Sequence, residues 1–233
     1  MFLAKCPGTK KCLIARYEFG REDILMKIAM LGLGHVGSRL AELWTRAGHV
    51  VVAGVRQGHH SEIAISGVRV MSLRDAVEEA EVVTLAVPWK AVQSVLQEVG
   101  SLQGKTLIDV TNPLNKDLGL LKFEAGSGGE QVAQWAVGAR VVKAFNTIGA
   151  PLYGAAIFNA VLADGYLCGD DVAAKEIVRG LVADAGLDPL DVGSLRNAAY
   201  LEAIGALWID LRVYGRLRGD FGFKLLKRVE VKR

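Results

Sequence analysis

The chain has 233 residues, 51% of them apolar and 23% charged, and a formal net charge of +3. A chain of this length buries enough apolar surface to stand without a metal or disulfide staple, and its composition excludes a disordered polymer. Mild basicity and 7% aromatic content give no reason to expect a nucleic-acid partner, and no apolar run reaches the roughly 20 residues that cross a bilayer.

Cys6, Cys12 and Cys168 form no CxxC pair and join no Cys/His cluster, so no metal site is expected. Scattered thiols suit a reducing cytoplasm, and Cys168 reads as a small buried strand residue. Residues 1–25 hold five basic and three acidic residues and no apolar core of signal length, so they read as a loose extension. The fold is expected to begin at Met26, a candidate natural start.

Lys27–Leu31 is a short apolar run, as in a parallel strand covered on both faces. Gly32-Leu33-Gly34-His35-Val36-Gly37 follows. Ser38–Ala47 then places Leu40, Leu43, Trp44 and Ala47 at helical spacing, with Gly48 as the stop. His49–Val55 is a second buried strand, Leu73–Ala80 a short helix, and Glu81–Val87 a strand stopped by Pro88. Lys90–Val99 reads as a helix and Lys105–Val110 as a strand. Ala125–Gly129 reads as a flexible loop ahead of a helix over Glu130–Ala136. Arg140–Phe145 is a strand. A strand near Gly165–Cys168, a helix Asp171–Ala185, a strand near Pro189–Val192 and a helix Leu195–Arg212 complete the pattern. Lys224, Lys227, Arg228, Lys232 and Arg233 read as a solvated basic tail. The alternation predicts an α/β fold: a Rossmann-like, doubly wound, mostly parallel sheet with a smaller C-terminal portion. The expected division is a nucleotide-binding domain over 26–148 and a smaller α/β portion over 149–233.

A GxGxxG turn between a buried strand and an amphipathic helix is the context a dinucleotide requires. Gly32 permits the tight turn, Gly34 lets backbone approach a pyrophosphate, and Gly37 lets helix and strand pack closely. The following helix N-terminus offers free N–H groups to phosphate. Where an NAD site carries an acid after the second strand, this chain has Arg56, which suits a 2′-phosphate and predicts NADP(H). His59 and His60 read as solvated loop residues.

Ligands of open parallel sheets sit at the carboxyl ends of the strands. Those ends read Val87-Pro88-Trp89, Thr111-Asn112-Pro113 and Asn146-Thr147-Ile148, with no Ser–His–Asp set and no paired carboxylate. Asp109 reads as a buried, capping or catalytic acid, and Lys143, inside a strand, as structural. No catalytic side chain is assigned. Carbonyl reduction needs a proton donor, whereas hydride passage between two stacked rings needs mainly geometry. Two alternatives stay open. One is a hydroxyacid or imine dehydrogenase of the 6-phosphogluconate or pyrroline-carboxylate reductase type, relying on Lys143. The other is a non-enzymatic NADPH sensor.

Lys27–Ala41 with Ala53–Arg56, Ala86–Trp89, Val142–Thr147, Cys168–Asp171 and Leu187–Leu195 resemble the NADPH-dependent reductases of coenzyme F420. They are also similar to the cytosolic nucleotide domain of six-transmembrane ferric and cupric reductases. The resemblance implies a cytoplasmic, usually dimeric oxidoreductase in which NADP(H) lies over Gly32, Leu33, Gly34, His35, Val36 and Gly37. Arg56 would hold the 2′-phosphate, and the nicotinamide would sit near Val87, Pro88 and Asn112. The acceptor, coenzyme F420 or a flavin (FMN or FAD), would stack beside Trp89, Asn146, Thr147 and Ile148. The chain departs from the family in having Asn146 where archaeal enzymes have His, and Ala199 where an Arg is common.

Overall fold

The computed structural model describes residues 25–56 and 65–228. Cys6, Cys12, His59, His60, nearly all of the 1–25 extension and the last five residues lie outside these. Eight strands form one sheet: β1 (Lys27–Leu31), β2 (Val50–Val55), β3 (Arg69–Ser72), β4 (Val82–Leu85), β5 (Thr106–Asp109), β6 (Arg140–Ala144), β9 (Asp164–Gly169) and β10 (Asp188–Asp191). A separate hairpin pairs β7 (Ile157–Phe158) with β8 (Val161–Leu162). The helices are α1 (His35–Arg46), α2 (Leu73–Glu79), α3 (Val92–Val99), α4 (Gly128–Trp135), α5 (Val172–Asp184) and α6 (Ala198–Val213).

The spatial order is β3-β2-β1-β4-β5-β6-β9-β10. The first six strands run parallel, and β9 meets β6 antiparallel with β10 parallel to β9. This is the doubly wound Rossmann order with two reversed strands appended. Side chains alternate across the sheet: Ile28 and Met30 of β1 join one core with α1 and α5, while Ala29 and Leu31 join the other with α2, α3, α4 and α6. Trp44 of α1 is fully buried, and its Nε1 donates to the Leu181 carbonyl of α5 at 2.9 Å.

The predicted elements are present, with shifted ends. α1 starts at His35, directly on the glycine turn. The predicted helix over Lys90–Val99 begins with a 3-10 turn at Trp89–Ala91. Strand β3 escapes pattern reading because it is a largely exposed edge strand without an apolar run. The β7–β8 hairpin escapes it because its turn uses Asn159 and Ala160 at φ +48° and +64° rather than a glycine.

Two expectations are corrected. The loop read over Ala125–Gly129 ends earlier: Ser127 caps α4, and Gly128 and Gly129 are buried in its first turn. Lys224 is not a solvated tail residue, because its ammonium pairs with Asp164 at 2.6 Å and with Asp188. The Leu225 N–H also donates to Asp164, so the chain after α6 is tied back onto β9 and β10.

Candidate dinucleotide site

The glycine turn joins β1, at the centre of the sheet, to α1. Gly32 has φ +99°, and a Cβ there would stand 2.6 Å from the Ala86 carbonyl oxygen. A Cβ on Gly37 would stand 2.0 Å from the Gly32 carbonyl oxygen, so only glycine allows this helix-to-turn contact. Gly34 is different: it is exposed, and nothing lies within 4 Å of where its Cβ would be. As the N-cap of α1 it supplies no side-chain cap, and the first turn carries no acid. The N–H groups there face an open space that suits an anion, so the residues present fit a pyrophosphate. A cavity of about 920 Å³ opens at this turn, bounded by Leu33, Gly34, His35 and Ser38, and continues along α1 past Arg39.

Arg56 follows β2 and is part-exposed. Its Nη2 donates to Ser94 Oγ of α3, and its Nε lies 3.5 Å from Glu98 Oε2. A part-exposed guanidinium beside the glycine-turn end of the sheet fits a 2′-phosphate.

The other expected residues lie after β4, β5 and β6. Val87 and Trp89 are half-buried and Pro88 is exposed. Trp89 stands edge-on to Phe123 at 5.1 Å between ring centroids and 5.7 Å from Trp135, forming an aromatic cluster. Asn112 and Asn146 meet directly: Asn146 Nδ2 donates to Asn112 Oδ1 at 3.2 Å, and Asn112 Nδ2 donates to the Asn146 carbonyl at 3.3 Å. Asn146, Thr147 and Ile148 are all buried; α6 lies against Asn146, and a Cβ on Gly222 would stand 3.4 Å from Ile148 Cδ1. Asn146 Nδ2 also donates to the Leu201 carbonyl at 2.8 Å, and a Cβ on Gly205 would stand 2.5 Å from Asn112 Oδ1. Phe145, at φ +65°, turns the chain out of β6 into this loop, and the buried Tyr153 hydroxyl donates to its carbonyl at 2.7 Å.

Beneath the loops lies a charge cluster that the strand-end reading missed. Lys143 is fully buried, with Nζ 2.9 Å from Asp109 Oδ2 and 3.1 Å from Glu202 Oε1, and it donates to the Thr111 carbonyl at 2.7 Å. Asp109 stands at the end of β5, whereas the second carboxylate flanking Lys143, Glu202, comes from α6 and not from a strand end. Asp109 Oδ1 accepts from the Thr111 N–H and hydroxyl, while Glu202 accepts from the Gly128 and Gly129 N–H groups. Burial alone would lower the Lys143 pKa, but the two carboxylates outweigh it and hold the ammonium above its ordinary value. Every partner is internal, which is the environment of a structural cation, the role read from its strand position. Glu202 comes from α6, and nothing short of the folded packing signals that it joins residues 59 and 93 positions earlier in the chain.

Cys168 lies fully buried in β9, and burial pushes its thiol up to about 12, the state of an inert thiol. Among the described residues no His/Cys/Asp/Glu group could hold a metal ion, and no helix is long and apolar enough to cross a membrane.

The family model for NADP oxidoreductase, coenzyme F420-dependent, matches residues 27–113, from β1 to the loop after β5. Over 214 residues the chain is 33% identical to the F420-dependent NADP reductase of Methanothermobacter marburgensis, covering 83% of this chain and 95% of that one. It is also 33% identical over 183 residues to the metalloreductase STEAP3 of Rattus norvegicus; this covers 76% of the chain but only 36% of STEAP3. The crystal structure of a candidate F420-dependent NADP-reductase from Arthrobacter sp. FB24 superposes with a TM-score of 0.77 at 29% identity, covering 87% of this chain and all of that one. An imine reductase from Myxococcus stipitatus shares the fold at 18% identity and a TM-score of 0.60. The chain belongs to the coenzyme F420-dependent NADP oxidoreductase family, and it is an NADP-dependent oxidoreductase.

Proposed function

We propose that this enzyme passes hydride directly between NADPH and a deazaflavin of the coenzyme F420 type. The observation that carries the reading is the bare N-terminus of α1 at Gly34, uncapped and open, at the point where the strand order reverses. The pyrophosphate would rest on Gly32–Gly37, the 2′-phosphate on Arg56, and the nicotinamide near Val87, Pro88 and Asn112. The acceptor would lie beside Trp89, Asn146, Thr147 and Ile148; access to buried Asn146 requires the face of α6 around Leu201 and Gly205 to yield. When bound, NADPH supplies the hydride, and the acceptor ring takes it together with one proton from solvent. The chain's own part is to bind and to align the two rings. FMN and FAD are the alternative acceptors.

The dehydrogenase alternative depends on Lys143 as a proton relay, and Lys143 is enclosed on all sides by its partners. Membership in an enzyme family leaves the sensor alternative without support. The proposal extends to a division at about residue 148 between the nucleotide half and the smaller portion, and to a cytoplasmic homodimer. Exposed Leu207, Val213, Tyr214 and Leu226 support a partner surface on α6 and the chain beyond it.

The test is steady-state oxidation of NADPH and NADH with coenzyme F420, FMN, FAD and a ferric chelate, in wild type and Arg56→Gln. Turnover fastest with F420 and NADPH is expected. The substitution should raise the NADPH KM at least about tenfold, in keeping with loss of a charge-assisted contact, and leave the NADH KM nearly unchanged. Absence of F420 turnover would remove the acceptor assignment, and an unchanged NADPH KM would remove Arg56 from the site.

A further inference from the structure

The guanidinium assigned to the 2′-phosphate already has a counterion. Arg56 reaches from the end of β2 to α3, where Ser94 Oγ accepts from Nη2 and the Glu98 carboxylate lies 3.5 Å from Nε. Ser94 is itself oriented, because its hydroxyl donates to the Ala91 carbonyl at 3.0 Å. Glu98 is the next-to-last residue of α3, and that last turn has no basic residue. A carboxylate at a helix C-terminus opposes the helix dipole. What compensates it is the cations around it: Arg56 at its side chain and Arg74, whose Nη2 donates to the Glu98 carbonyl at 3.4 Å. Both Arg56 and Glu98 are part-exposed, with side chains 39% and 47% accessible; Nε itself is buried and makes no hydrogen bond, so an incoming anion reaches the guanidinium from its exposed side.

We infer that Glu98 is a specificity-determining residue that competes with the 2′-phosphate of NADP(H) for Arg56. This rests on the assignment of Arg56 to that phosphate. Ser94 keeps the guanidinium in place through a neutral contact, whereas Glu98 neutralises it and repels a dianion brought alongside. NADPH binding then exchanges one carboxylate for one phosphate at Arg56. NADH, with a neutral hydroxyl there, gains nothing from the exchange. Glu98 thereby lowers affinity for the phosphorylated dinucleotide while leaving NAD(H) almost untouched.

The experiment measures dissociation constants of NADP+, NAD+ and 2′,5′-ADP by calorimetry, without turnover, in wild type, Glu98→Gln, Arg56→Gln and the double variant. Glu98→Gln keeps the side chain's shape and removes its charge. It should tighten NADP+ and 2′,5′-ADP by about threefold to fivefold, the scale of an exposed ion pair, and change NAD+ by less than about twofold. The gain should vanish in the Arg56→Gln background. Unchanged or weakened NADP+ binding in Glu98→Gln would overturn the inference, as would an equal gain in both backgrounds. Should Arg56→Gln alone leave NADP+ affinity intact, the phosphate assignment fails first, and the inference falls with it for a distinguishable reason.

Discussion

Gly34 and Gly37 lie three positions apart in one turn and are glycine for different reasons. A methyl at Gly37 collides with the Gly32 carbonyl, whereas a methyl at Gly34 enters empty space. Gly37→Ala should therefore damage the fold itself, lowering the melting temperature and dinucleotide affinity together. Gly34→Ala should fold with an unchanged melting temperature and lose NADPH affinity at least about tenfold, because its methyl stands where backbone must approach the pyrophosphate. Calorimetric melting and NADPH titration separate the two, and equal thermal damage in both variants would contradict the distinction. These roles follow from the GxGxxG pattern and its flanks. The direction of the Arg56 side chain does not, because Ser94 and Glu98 lie on a helix formed some forty residues later, and no local pattern pairs them.

Four elements meet at Lys143: β5 through Asp109, β6 through Lys143 itself, the start of α4 through Gly128 and Gly129, and α6 through Glu202. Glu202 thereby holds α6 over the Asn112–Asn146 pair. Removing one partner of a buried ionic cluster leaves an uncompensated charge at a cost of about 3–5 kcal/mol. Glu202→Ala should thus lose stability on that scale in urea unfolding, and a loss below about 1 kcal/mol would show the cluster to be dispensable. Because the folded pKa of Lys143 is raised, its stabilisation is fully present below the ordinary lysine value of 10.5 and is lost as pH rises through the folded value. The stability gap between wild type and Lys143→Met should accordingly be constant up to about pH 10 and narrow above it. A gap that widens as pH rises above about 10 would contradict the sign. Helices and buried strands announced themselves through period and glycine stops; the exposed strand β3 and the glycine-free β7–β8 turn did not. The capped start of α4 was concealed by a Gly-rich run that reads as a linker. Its glycines are needed because a Cβ on Gly128 would stand 2.8 Å from Pro113 and one on Gly129 2.7 Å from Ala198.

The complete sheet places the glycine turn, Arg56, Val87, Asn112 and Asn146 along one edge, at the carboxyl ends of β1, β2, β4, β5 and β6. That arrangement was readable in the alternation of strands and helices, since parallel strands joined by helices bring their carboxyl ends together. The cover over Asn146–Ile148 was not readable, because it depends on how α6 and the chain to Lys224 fold back. In the proposed function hydride passes directly from ring to ring, with no protein side chain carrying the hydride or serving as a dedicated proton relay. Direct passage is tested by single-turnover reduction of coenzyme F420 with NADPH carrying deuterium at both nicotinamide C4 positions, followed by mass analysis of the deazaflavin. One deuterium retained per reduced deazaflavin, with a rate lowered by isotopic substitution, is the predicted result. Loss of the deuterium to water, or reduction without an isotope-bearing product, would contradict it.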